Sequence, residues 1–129
     1  MTMRFSIVSG AVLVFMALMM SSLSSSAADG AYRHVVFFKF KAEASAEAVR
    51  EIEQAFVALS RKVETVTGFE WGTNVSPEGL NDGFTHCFLV TFKDKAGLEA
   101  YLPHPEHEAF VAKLKPLLDK VCVVDYVAQ

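Results

Sequence analysis

His34-Val35-Val36-Phe37-Phe38-Lys39-Phe40 reads as a β-strand with no polar side. β-Branched and aromatic residues fill it, as strands favour. Side chains alternate across a strand, so His34, Val36, Phe38 and Phe40 share one side and Val35, Phe37 and Lys39 the other. Both sides are mainly apolar, which implies burial on both. A domain of about 100 residues carries a single layer of helices, enough for one side of a sheet. The other side needs a second cover, and the simplest is another copy of the chain.

The flanking residues supply the remaining elements. Residues 42–63 are predicted helical, because Val49, Ile52, Phe56, Leu59 and Val63 recur at spacings of three and four. Ser45 is placed as its N-cap, Glu47 and Glu51 suit the helix dipole, and Glu47, Arg50, Glu53, Arg61 and Lys62 take the wet side. Gly68 closes that region, and residues 69–75 form a second strand. Residues 76–83 (Ser-Pro-Glu-Gly-Leu-Asn-Asp-Gly) are a loop by composition. Asn74-Val75-Ser76 matches a glycosylation acceptor, relevant only in a eukaryotic secretory route. Residues 84–92 are a third strand in which His86, Phe88 and Val90 alternate with Cys87, Leu89 and Thr91. A short helix over 98–102 then meets Pro103-His104-Pro105. Proline lacks an N–H and disfavours helical geometry in the residue before it, so the helix must end, bend and restart. It resumes through Phe110, Leu114, Leu117 and Leu118, bent at Pro116, and residues 121–127 are the last strand.

The order β-α-β-β-α-β predicts an α+β, ferredoxin-like unit with strand order 4-1-3-2 and both helices on one side. Cys87 and Cys122 then lie on strands that flank the first. Strand spacing puts them roughly 9–10 Å apart, beyond the ~7 Å that a disulfide can bridge. Two free, buried thiols are expected.

Residues 1–28 stand apart from this domain. Arg4 is their only charge, residues 5–20 are apolar except Ser6, Ser9 and Gly10, and small residues follow, ending Ser26-Ala27-Ala28. That is the order of a secretory signal peptide, and the run falls short of the ~20 residues of a spanning helix. Cleavage after Ala28 is expected, with a retained anchor as the competing reading, and the mature protein would be secreted or periplasmic. Residues 29–129 form one domain, and loss of Arg4 takes the net charge from −3 to −4. No basic stripe offers itself to a nucleic acid, and no membrane partner is expected once the segment is cleaved.

The mature chain resembles the stress-responsive dimeric α/β-barrel (Dabb) domain family. The matching pieces are His34 to Lys41, Trp71 to Gly79 (Trp-Gly-Thr-Asn-Val-Ser-Pro-Glu-Gly), Gly83-Phe84-Thr85-His86, Tyr101 to His107 (Tyr-Leu-Pro-His-Pro-Glu-His) and Val124-Asp125-Tyr126. They span about the whole domain in the family's order. The resemblance implies a homodimer whose two sheets face each other and close a barrel with the helices outside. It also implies a stress-induced protein, in most members without an assigned reaction. In the olivetolic acid cyclases of plants, a tyrosine and a histidine at the positions of Tyr101 and His107 close a polyketide ring by an aldol step. The leader segment departs from that cytosolic enzyme, as do Phe56, Phe69 and Leu118 among the residues expected to line a pocket.

Chemically, the candidate site places Tyr101 and His107 as catalytic groups. His34, Val36, Phe38, Phe56, His86, Phe88 and His104 are candidate ligand-binding residues, with Val90 and Leu118 also lining the pocket. His34 and His86 head neighbouring strands, and Tyr101 and His107 sit on the helix above them. An apolar pocket with a few polar groups at one end suits a small hydrophobic ligand. An imidazole titrating near ~6.5 can serve as a base, and a phenol can donate to a developing enolate. The competing reading makes Tyr101, His104 and His107 a packed, capped helix corner and His34 and His86 satisfied core histidines. A metal site lacks the carboxylate or thiolate at helical spacing that zinc would want. No cofactor is called for. A ligand-binding or protective dimer and a cofactor-free cyclase or lyase remain the two functional readings.

Overall fold

The computed structural model describes residues 30–129, so the predicted signal segment lies outside the described residues. Four strands and three helices follow one another as β1 (Tyr32–Phe40), α1 (Ala46–Lys62), β2 (Val66–Thr73), β3 (His86–Phe92), α2 (Lys95–Tyr101), α3 (Pro105–Leu114), a 3-10 turn (Lys115–Leu117) and β4 (Leu118–Val127). The sheet is antiparallel throughout, in the order β2-β3-β1-β4. This is the ferredoxin-like arrangement, with the strand order expected.

Local chemistry sets the helix ends. Ser45 Oγ accepts from the Ala48 N–H at 3.1 Å, so α1 begins at Ala46 and residues 42–44 stay outside it. Asp94 caps α2 through the Gly97 N–H at 3.1 Å. A Cβ on Gly97 would come within 3.0 Å of the Phe92 Cβ, so glycine lets α2 sit close on β3. His104 caps α3 and Pro105 supplies its first residue. The predicted run to Leu118 is cut at Leu114: Pro116 has no N–H to continue the ladder, the chain tightens into the 3-10 turn, and Leu118 starts β4. β2 likewise begins at Val66 and takes Gly68 into the strand, where Gly68 was expected to precede it.

All three helices cover one side of the sheet. Phe56 of α1 stacks on Phe88 of β3 with ring centroids 4.4 Å apart, meets Phe110 of α3 at 4.7 Å and stacks on Phe69 at 5.3 Å. Phe38 joins at 5.1 Å from Phe88. Aromatic burial of this kind carries a large share of a small core. The helices do not reach the sheet's margins. Val121 and Val123 of β4 share the helix-facing side with Phe38 and Val36, yet both are about half exposed.

The other side carries Arg33, Val35, Phe37, Glu70, Cys87, Leu89, Cys122, Val124 and Tyr126, and no helix of the chain covers it. Val124 and Tyr126 are exposed. Cys87 and Cys122 both pair in register with Phe37, one on each side. They are free, but half-buried rather than buried, because they belong to this uncovered side. Burial and the nearby Glu70 push the Cys87 thiol up from its ordinary value.

Glu53 corrects the helical wheel. Its carboxylate leaves the wet side and accepts from His86 Nε2 at 2.9 Å, while His86 Nδ1 meets Thr85 Oγ1 at 2.7 Å. Glu53→Ala leaves a buried imidazole nitrogen without a protein partner and should cost about 1–3 kcal/mol in urea unfolding. Glu53→Gln, which keeps an acceptor, should cost less; equal and negligible losses would contradict a structural pair.

Candidate functional site

The Pro103-His104-Pro105 corner organises the site. α2 ends at Tyr101, so the Leu102 carbonyl has no helix to serve. It accepts from His107 Nδ1 at 2.8 Å. A carbonyl only accepts, so Nδ1 carries the proton and Nε2 keeps its lone pair. His107 lies in the first turn of α3, half-buried. Burial lowers its pKa from the ordinary histidine value, helped by the His34 and His104 imidazoles and opposed by the Leu102 carbonyl and Glu108. His107 is therefore a neutral imidazole at neutral pH.

Tyr101 is 1% exposed. Its ring lies 4.5 Å from His107, 5.2 Å from Phe92 and 6.1 Å from His34. Burial pushes its phenol well above the usual tyrosine range, so it stays protonated. The hydrogen bonds of His34, His104 and His107 are all made elsewhere, and none occupies the Tyr101 hydroxyl. His34, at the start of β1, donates from Nδ1 to Asp125 Oδ1 of β4 at 2.6 Å. The two residues are register partners. The carboxylate fixes the imidazole's orientation and tautomer, as such partners do.

These groups border a cavity of ≈ 260 Å³ between α2–α3 and the sheet. Val36, Phe38, Val121 and Val123 line it from the strands. Phe110, Val111 and Leu114 line it from α3, and Phe56 from α1. Leu102, Val121 and Val123 are half exposed at its margin. The volume lies just under the ~300–1,000 Å³ typical of ligand pockets, which sets a small ligand. A second, wider depression of ≈ 520 Å³ lies on the uncovered side of the sheet, around Phe37, Cys87, Cys122 and Leu80.

Of the residues singled out in the sequence, the cavity gathers His34, Val36, Phe38, Phe56, Tyr101, His107 and Leu118. It does not gather His86, Phe88 or His104. Antiparallel pairing explains His86: heads of neighbouring antiparallel strands lie at opposite ends, and His86 pairs with Phe38 while His34 pairs with Val90. Phe88 and Val90 are wholly buried in core packing. Phe69 stacks on Phe56 away from the cavity. His104 Nδ1 is spent accepting from the Glu106 N–H at 3.1 Å, so it caps α3. Asp125, Glu53 and Lys115 were missed. Asp125 had a signal, an acid on the same strand side as Val121 and Val123. Glu53 had a weaker one, four residues after Val49 and three before Phe56. Among the described residues, no three His, Cys, Asp or Glu side chains come together as a metal site would require.

A family model described as "Stress responsive A/B Barrel Domain" matches residues 32–128. The stress-response A/B barrel domain-containing protein HS1 of Arabidopsis thaliana is 37% identical over 99 residues, covering 77% of this chain and 91% of that protein. Olivetolic acid cyclase of Cannabis sativa is 27% identical, covering 74% of this chain and 95% of the enzyme. Among solved structures, the hydroxynitrile lyase of Passiflora edulis superposes with a TM-score of 0.73 at 26% identity, over 78% of this chain and 94% of the lyase. A dimeric ferredoxin-like protein of unknown function from Jannaschia sp. CCS1 superposes at 0.66 with 29% identity, over 75% and 98%.

Proposed function

The chain belongs to the stress-responsive A/B barrel domain family, and we propose that it is an exported homodimer that takes a small hydrophobic ligand into the cavity beneath α2 and α3. The observation that carries this reading is the cavity itself, apolar along its length and bordered by the Tyr101 and His107 side chains. Dimerisation is supported by the uncovered apolar side of the sheet and by the Jannaschia neighbour, which is described as dimeric. Facing two such sides across a two-fold axis closes a barrel and removes both from water. Export is supported by the order of charge, apolar run and small residues over positions 1–28. No helix among the described residues is long and apolar enough to cross a membrane. Protein recovered after export should have Asp29 as its first residue by intact mass and should take up 1-octanol in titration calorimetry. Val123→Trp, which fills the cavity, should lose that uptake. An intact Met1 removes the cleavage claim in favour of a retained anchor, failure to recover the protein outside the cytoplasm removes the export claim, and wild-type protein that takes up nothing removes the binding claim.

A second reading, a cofactor-free cyclase or lyase, is favoured by the way burial divides the two groups. Tyr101 is held protonated as a donor and His107 is held neutral with Nε2 free as a base. Opposed environments of this kind assign acid and base roles. In such a reaction Nε2 takes a proton from the carbon beside a carbonyl whose oxygen accepts from Tyr101. The resulting carbanion attacks a second carbonyl, forming the C–C bond, and the new alkoxide takes the proton back. The related cyclase and lyase lend support by their names. Incubation with linear polyketides should give a cyclised product by mass spectrometry, with an acidic limb below pH ~6.5. Tyr101→Phe should lose about 10²–10³-fold in rate. Wild type without turnover removes this reading and leaves the binding one standing.

A further inference from the structure

The cavity has a polar group at each end. His34, Tyr101 and His107 stand at one. At the other is Lys115, the C-cap of α3 and, among the described residues, the only lysine, arginine or acid that lines the cavity. α3 carries the chain from His107 to Lys115 over eight residues, about 12 Å at helical rise. The strand register agrees. His34 pairs with Asp125 at one end, and Phe40 pairs with Leu118, three residues after Lys115, at the other. Between them the strand lining is Val36, Phe38, Val121 and Val123.

Among the described residues the Lys115 ammonium has no carboxylate within ion-pair distance, as is also true of Lys41, Lys93 and Lys113; of these four only Lys115 lines the cavity. Pro116 follows it directly and fixes the backbone there. Lys115 is exposed, so its cation stands at the solvent side of the apolar lining and biases that end toward a single negative charge. The C-terminal end of α3 carries partial negative charge, which works against any anion there and against a dianion such as a phosphate monoester more than against a carboxylate.

We propose that the ligand is an amphipathic carboxylic acid of medium chain length, its carboxylate held by Lys115 and its far end presented to Tyr101 and His107. This rests on the binding reading above and names the class of ligand that the same cavity takes. Lys115 is a specificity-determining residue, remote from the groups assigned acid and base roles.

Titration calorimetry with octanoate and with 1-octanol, on wild type, Lys115→Met and Lys115→Arg, tests it. Wild type should prefer octanoate by about tenfold, the worth of one charge-assisted hydrogen bond. Lys115→Met should erase the preference while keeping 1-octanol binding, and Lys115→Arg should retain it. Equal binding of both probes by wild type overturns the proposal and leaves the cavity reading intact. So does a preference that survives Lys115→Met, or a variant that changes only the melting temperature, since Lys115 then serves the helix end alone. Binding of neither probe overturns the cavity reading along with it.

Discussion

Phe37 and Phe38 are neighbours in β1 and point to opposite sides of the sheet, and the chain's own helices shelter only one of them. Phe38 is 1% exposed, packed against Phe56 and Phe88. Phe37 stands between Cys87 and Cys122, with an edge contact to Phe84 at 6.3 Å and no helix above it. Much of what is particular to the molecule follows from that inequality. A hundred residues can form four strands and three helices, but the helices span less width than the strands. The shortfall leaves one side without a layer and leaves β4 only partly roofed on the other.

The partly roofed margin is where the cavity lies. Val121 and Val123 face the helices, but α3 does not press down on them, and the gap between holds ≈ 260 Å³. The proline corner then decides what borders the gap. Because α2 stops at Tyr101, the Leu102 carbonyl is free to hold His107 Nδ1, and Pro105 starts α3 so that His107 falls in its first turn. Burial acts in opposite chemical directions on the two groups, keeping the phenol protonated and the imidazole neutral. One local break in a helix thus places a protonated phenol and a neutral imidazole beside the gap.

Much of this was legible in the sequence. The period-two and period-3.6 patterns gave the element order and with it the strand order, because right-handed crossovers leave few alternatives. The corner residues pointed to Tyr101 and His107 by their spacing and prolines. What was not legible depended on pairing direction and on tertiary contacts. His86 was grouped with His34 because both head strands, yet antiparallel pairing sets them four register positions apart, about 13 Å. Asp125 and Glu53 carry no local signal that names their imidazole partners, since a strand register and a helix rotation bring them there. His104 was indistinguishable in sequence from a pocket residue, and only its bond to the Glu106 N–H marks it as a cap. Helix ends shifted wherever a cap or a proline competed with an apolar pattern that continued past it, as at Pro116.

The exposed side of the sheet bears the greatest weight, since leaving Val35, Phe37, Leu89, Val124 and Tyr126 in water would set a large apolar penalty against a small core. Stable interfaces bury on the order of 1,600 Å² in total, and the uncovered side spans all four strands. Sedimentation equilibrium of residues 29–129 at micromolar concentration measures the outcome directly. A particle of two chains with no detectable single-chain species is the expected result, and a folded, monodisperse single chain under the same conditions contradicts it.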